Sequence, residues 1–219
     1  MRTLSIPSDS PNHFLKGSFM KQMVTTGLLL ISSGILTSAN APAKPTNEYS
    51  IDILRSKIEF FVASSAGDVN GTFKSWKGSF GVGTPGVPES ATLKLEISAP
   101  SMTTGSDIKD KMVKGRDFFY VQSYPTIDFV STKVIPSSDP NKFRAQGNFT
   151  LRGVTKPVAL RVNLNPNSKG GGRIYATLSF DRRNFGMTKN VPFVRVSDSV
   201  RVRLDLFIVA KPVAAGAGP

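Results

Sequence analysis

A chain of 219 residues that is 39% hydrophobic has enough apolar material for a domain core without metals or cross-links. It has no cysteine, and its one histidine, His13, lies in a segment expected to be removed; disulfides, thiolate metal sites, cysteine nucleophiles and Ser-His-Asp triads are therefore excluded from the mature chain, and a zinc site would rest on carboxylates alone. The formal charge of +13, about +11 once three cations and one acid ahead of residue 44 are removed, favours anionic partners: nucleic acid, a phospholipid surface or a lipid carrying phosphate.

Lys16 and Lys21 precede an apolar run from Met23 through Leu36, and Ala39, Ala41 and Ala43 follow it, the layout of a secretory signal peptide. Thr25, Thr26, Gly27, Ser32, Ser33 and Gly34 interrupt the run, whereas a spanning helix wants about 20 mostly apolar residues. Residues 1–43 are read as a signal peptide with its upstream segment, cut between Ala39 and Lys44 on the way to the periplasm; a retained single anchor is the alternative. Pro42 makes a cut straight after Ala41 awkward, and Met20 is a second candidate start. Residues 44–48 read as a linker, 49–210 as one domain without internal repeats, and 211–219 as a flexible tail.

Period-two alternation dominates the domain, as half-buried antiparallel strands require. Ile58, Phe60 and Val62 form one face of the first strand; Leu93, Leu95 and Ile97 follow, then Val158, Leu160, Val162 and Leu164, and finally Val200, Val202, Leu204 and Leu206. Further strands are expected at Val69 to Phe80, Thr126 to Val134, Phe143 to Arg152 and Arg173 to Phe180, separated by Gly, Pro, Asn and Ser clusters. One helix, Ser106 to Lys114, interrupts them, capped by Ser106 or Asp107 and turning Ile108, Met112 and Val113 inward. The total is roughly eight strands, the number that closes into a ligand-holding barrel; a two-sheet sandwich would show the same alternation.

Several short patterns have bland readings that outweigh their chemical ones. Gly81, Gly83 and Gly86 have the spacing of a dinucleotide fingerprint, but Pro85 intervenes and no helix follows, so a hairpin connection is read instead. Ser106 and Lys109 have the Ser-x-x-Lys spacing of acyl enzymes without either companion motif. Asp107 and Asp110 suit a first helical turn without any acid-base role. The aromatic group of Phe118, Phe119, Tyr124 and Phe129 suits a packed core and a ligand lining equally.

Several strings resemble the YceI family of lipocalin-like, polyisoprenoid-binding proteins. Tyr49, Ile51, Asp52, Ser56, Ile58, Phe60 and Val62 resemble its first strand, and Val69, Gly71, Phe73 and Gly78 its second. Arg116 to Phe119, followed by Tyr124, Pro125, Ile127, Phe129, Ser131 and Thr132, is similar to its helix exit and next strand, and Gly153 to Val158 to its most recognisable turn. Arg183, Phe185, Gly186 and Met187, with Asp198 and Val200, look like its closing segment.

The resemblance implies an all-β fold: an eight-stranded antiparallel barrel with one short helix beside it, binding a long apolar lipid without catalysis or a required cofactor. Isoprenoid quinones, polyprenyl phosphates and fatty-acid derivatives are the implied ligands. Inward residues expected to line the interior are Ile58, Phe60, Val62, Phe73, Leu93, Leu95, Ile97, Met112, Phe118, Phe119, Ile127, Phe129, Phe149, Leu151, Leu178 and Phe180. Arg116, Arg182, Arg183 and Lys189 are the expected headgroup partners, since guanidinium groups grip phosphate in bidentate fashion. Where family members often carry histidine, this chain has Arg55, Met112 and, near the end of the first strand, Ala63; Arg55 and Met112 would make the site more cationic and more apolar. Peripheral contact with an anionic membrane and a homodimer fit the charge and the fold. The rivals are single-strand nucleic-acid binding, disfavoured by the inward phase of the aromatics, and a lipid-modifying enzyme, for which no catalytic group is evident.

Overall fold

The alternating segments form ten antiparallel strands in a computed structural model that describes residues 47–84, 86–168 and 170–211. The strands are β1 (Asn47–Ser64), β2 (Val69–Phe73), β3 (Trp76–Val82), β4 (Ala91–Ser98), β5 (Met102–Thr103), β6 (Thr126–Pro136), β7 (Lys142–Leu151), β8 (Val154–Pro166), β9 (Gly172–Asp181) and β10 (Val196–Ala210). One helix, α1 (Asp107–Lys114), lies between β5 and β6. The expected signal peptide lies outside the described residues. β1 begins at Asn47, inside the span read as linker.

Neighbours follow the order β10-β9-β8-β7-β6-β4-β3-β1, and β1 then pairs with β10 from Tyr49↔Ala210 to Ser64↔Val196. β2 prolongs β3 beside the second half of β1, and β5 prolongs β4. The result is an eight-membered ring, and its closure decides for a barrel over a sandwich. Every alternating face named from the sequence points inward: Ile58, Phe60, Leu95, Phe129, Phe149, Leu160, Leu204 and Leu206 are all buried.

Two strands depart from the sequence pattern for local reasons. The single strand expected over Val69 to Phe80 breaks at Lys74 and Ser75, where the backbone turns to Ser101 instead: Lys74 N donates to Ser101 O at 3.2 Å and Ser75 N to Ser101 Oγ at 3.0 Å. In β1 the register with β10 shifts between Asp52 and Lys57. Buried Ser56 bridges that bulge, its hydroxyl donating to Asp52 O at 2.6 Å and accepting from Phe207 N at 2.9 Å. The bulge pushes Ile53 and Leu54 out into solvent, as an extra residue in one strand does.

The β7–β8 connection is a two-residue turn at Arg152 and Gly153, both with positive φ (52° and 72°), as a tight hairpin of native twist requires. Gly153 lies under the Tyr124 ring, where a Cβ would approach Tyr124 Cε1 to 3.0 Å. Arg152 reaches back to donate to Phe118 O at 2.6 Å, tying this turn to the segment after α1.

The barrel thus has two unlike ends. The loops 83–90, 137–141 and 167–171 surround the first, the wide end; α1, the segment after it and the loop 182–195 cover the second, the helix end. Ser106 is the N-cap of α1, as expected, but makes no side-chain capping bond; Asp110 reaches back to the chain ahead of the helix and accepts from Thr104 N and Oγ1, both at 2.6 Å. The Thr104 hydroxyl beside it holds the Asp110 carboxyl below its ordinary range. Val113 is buried and Met112 half-buried, as expected, but Ile108 is 84% exposed. Ile108 sits about 140° around the helix from Val113, so the packing of Val113 into the barrel turns it outward.

Candidate functional site

Side-chain volume decides where the barrel is empty. Aromatic rings crowd the helix end and centre in two groups: Phe60, Phe73 and Phe119, with ring centroids 5.6–6.0 Å apart, and Phe149, Phe180 and Phe185, at 5.2–5.4 Å. At the wide end the inward positions include the small Ala91 and Ala145. A cavity of about 350 Å³ opens there, walled by Tyr49, Phe80, Leu93, Val134, Phe143, Val162, Leu164 and Ile174 and bordered by Val87, Pro88 and Pro140. Among the described residues no charged side chain lines it. The inward hydroxyls at hand are those of Tyr49 and Ser131, since Thr92 is exposed on the opposite face of β4 from Leu93. Ser131 Oγ accepts from Leu93 N at 2.8 Å, which leaves its proton free for a ligand oxygen.

A second cavity, about 50 Å³, lies under α1 at the other end, among Phe60, Val62, Met112, Val113, Phe118, Phe119 and Phe180. Between the two, Ile58, Leu95, Leu204 and Leu206 fill the barrel and are almost fully buried.

Of the residues expected to line one tunnel, the structure brings Phe60, Val62, Met112, Phe118, Phe119 and Phe180 together around the small cavity and puts Leu93 on the large one. Ile58, Phe73, Leu95, Ile97, Ile127, Phe129, Phe149, Leu151 and Leu178 are packed core that borders neither cavity. Most of the large cavity's wall went unnamed as a lining. Val162 and Leu164 had shown their inward phase in the alternation of β8, but phase does not tell which end of a barrel is underfilled.

The four expected headgroup cations all lie at the helix end, and they differ. Arg116 and Lys189 are exposed. Arg183 is exposed and paired with Asp181 at 2.6 Å and Asp198 at 3.2 Å; its hydrogen bonds hold the Asp181 carboxyl down to about 2. Arg182 is 2% exposed, and its guanidinium is taken up by the chain: it donates to Met187 O, to Lys189 O at 3.0 Å and to Ser197 O at 3.2 Å, and pairs with Asp198 at 3.0 Å. Arg55, expected to add charge to the site, stands outside the barrel, paired with Asp52 at 2.7 Å and 5.1 Å from the Phe207 ring centroid. The bulge in β1 turns it there. Arg173 and Arg203 stack on outward Phe207 and Phe61 in the same manner. Among the described residues no cluster of His, Cys, Asp or Glu could hold a metal ion, and no helix is long and apolar enough to cross a membrane.

A closed eight-stranded antiparallel barrel with one helix over an end and an apolar interior is a lipocalin-like architecture. The YceI-like domain model matches residues 49–208, and the chain belongs to that family. It is 33% identical over 124 residues to a UPF0312 protein of Pseudomonas savastanoi pv. phaseolicola, a match covering 54% of this chain and 64% of that relative's length. A UPF0312 protein of Photorhabdus laumondii is 31% identical over 149 residues, 67% of this chain and 72% of the relative. Among solved structures, BcnA of Burkholderia cenocepacia superposes with a TM-score of 0.66 at 22% identity, covering 72% of this chain and 99% of BcnA. A polyisoprenoid binding domain from Saccharophagus degradans, implicated in plant cell wall breakdown, gives 0.56 at 17% identity over 74% and 98% of the two chains.

Proposed function

We propose that this protein is an exported, non-catalytic binding protein that holds part of a long-chain lipid in the wide-end cavity. The observation that carries the reading is the cavity itself: about 350 Å³, apolar, open at one end of a closed barrel and, among the described residues, free of charged lining. Its volume is at the low end of ligand pockets, roughly 300–1,000 Å³. It suits a ring or a short prenyl segment; a longer chain would have to displace the packed centre or extend through the mouth. Burying a charge without a partner is costly, so the lining favours a neutral head such as a quinone, with a carbonyl oxygen near Ser131. A phosphate head would stay in water outside. Export rests on the Lys16 to Ala43 pattern, and the polyisoprenoid class on the family and on the described ligand of the Saccharophagus neighbour.

Val162→Trp tests the assignment. The indole would project into the cavity from mid-β8 and exclude roughly 100 Å² of ligand contact, about 2.5 kcal/mol or some fiftyfold in affinity. Titration with an isoprenoid quinone bearing a two-unit tail should show that loss, while the melting temperature stays close to that of the parent. Unchanged affinity in a folded variant would mean that lipid is not held at the wide end.

A further inference from the structure

The helix end carries two large apolar side chains that the fold does not use. Val191 to Val194 form a turn closed by Val194 N donating to Val191 O at 3.0 Å, with Pro192 second and Phe193 third at a φ of 62°. That is the pattern of a type II turn, whose third position calls for glycine or asparagine. A phenylalanine there is strained, and this one is fully exposed, so its ring gives the folded state nothing in return. Ile108, on the outward face of α1, is 84% exposed.

These two side chains share one rim. Arg195 N donates to Ser65 Oγ at 3.0 Å and Ser65 N to Arg195 O at 3.0 Å. Lys109 Nζ donates to Asp68 O at 3.2 Å. The loop 65–68 therefore joins the Phe193 turn on one side to α1 on the other. Exposed Lys111, Arg116, Lys189 and Arg195 surround it, none with a carboxylate within salt-bridge distance among the described residues. The acids nearby in sequence are Asp68, Asp107, Asp110 and Asp117, while Asp181 and Asp198 are matched by Arg182 and Arg183; with Lys109 and Lys114 the cations facing those four acids number six, so the rim keeps an excess of two positive charges. A shallow, largely polar hollow of about 600 Å³ lies beside the turn, bordered by Arg183, Thr188, Asn190, Arg195 and Asp198, but Phe193 is fully exposed and Ile108 84% exposed, so the two apolar groups project among cations. They match the boundary between lipid headgroups and acyl chains, where apolar side chains insert and cations meet phosphate.

We infer that this rim docks the protein on anionic phospholipid bilayers, with Phe193 and Ile108 inserting and Lys111, Arg116, Lys189 and Arg195 facing the phosphates. The inference rests on the lipid-binding reading for its purpose but on separate residues for its test. The docked end is the one with the small cavity, so docking requires no change in the barrel and leaves the wide mouth facing away from the bilayer.

The experiment is co-sedimentation of the full chain with vesicles of phosphatidylcholine alone and of phosphatidylcholine with phosphatidylglycerol, at about 0.1 M salt, where screening is moderate. Phe193→Asn keeps a residue that tolerates positive φ, so its melting temperature should match the parent. Binding to the phosphatidylglycerol vesicles should fall at least about tenfold, the loss expected for one aromatic withdrawn from an apolar layer, and should fall further with Ile108→Gln added. Parent binding should be weaker on phosphatidylcholine alone. No parent binding to phosphatidylglycerol vesicles, or equal binding by the folded Phe193→Asn protein, overturns the inference. The quinone titration run on the same samples separates the two claims: uptake without vesicle binding overturns docking alone, and vesicle binding lost with Phe193→Asn in a protein that takes up no quinone supports docking while overturning the lipid-binding reading.

Discussion

Arg182→Met is expected to lower stability by about 3–5 kcal/mol, chiefly the cost of leaving the backbone carbonyls that its buried guanidinium satisfies without a donor. Arg182 is 2% exposed and joins two stretches of chain that no strand pairing connects: Met187 to Asn190 before the Phe193 turn, and Val196 to Asp198 at the start of β10. Methionine approximates the stem of the side chain but gives nothing to the carbonyls of Met187, Lys189 and Ser197. Each stranded acceptor costs about 1–3 kcal/mol when water cannot replace the donor, and Asp198, which is partly exposed, recovers some solvation. Urea unfolding should show a lower midpoint with an unchanged slope. Arg183→Met is the control. Arg183 pairs with the same Asp198 from an exposed position, where screening leaves ion pairs little weight, and its midpoint should stay near the parent's.

Phe149→Ala is expected to cost about 3–5 kcal/mol, the range for truncating a buried aromatic. Phe149 is buried on β7 and meets Phe180 at 5.3 Å and Phe185 at 5.4 Å, so the change removes ring contacts as well as area. The same urea measurement reads it. A loss under about 1 kcal/mol would mean that the neighbouring rings collapse into the space, and that the packed centre is softer than its burial suggests.

The strand faces were legible because alternation is a local property: once Leu204 and Leu206 point inward, so must Val200 and Val202. The β1 bulge was not legible, because it depends on the Ser56 hydroxyl meeting the backbone of β10, more than a hundred residues away. Its consequence for Arg55, which turned from an expected site residue into an outer-surface cation, was hidden for the same reason. Ile108 followed the amphipathic pattern of α1, yet the helix packs through Val113 and leaves it in water. The candidate site was the least visible feature. Sequence separated inward from outward residues, but the wide end is open because Ala91 and Ala145 face that end while phenylalanines fill the other, a balance of volumes across strands that only the register brings together. Among the cations, the pattern at Arg182 and Arg183 looked like a headgroup clamp; burial makes the first a structural tie.

The most direct test of lipid binding is native mass spectrometry of the chain purified from its own host, followed by organic extraction of whatever dissociates. The expected result is a mature chain beginning between Asn40 and Lys44, carrying a stoichiometric isoprenoid or other long-chain lipid that the Val162→Trp protein lacks. A folded protein that carries no lipid, and that also refuses added quinones and polyprenyl phosphates, would contradict the account.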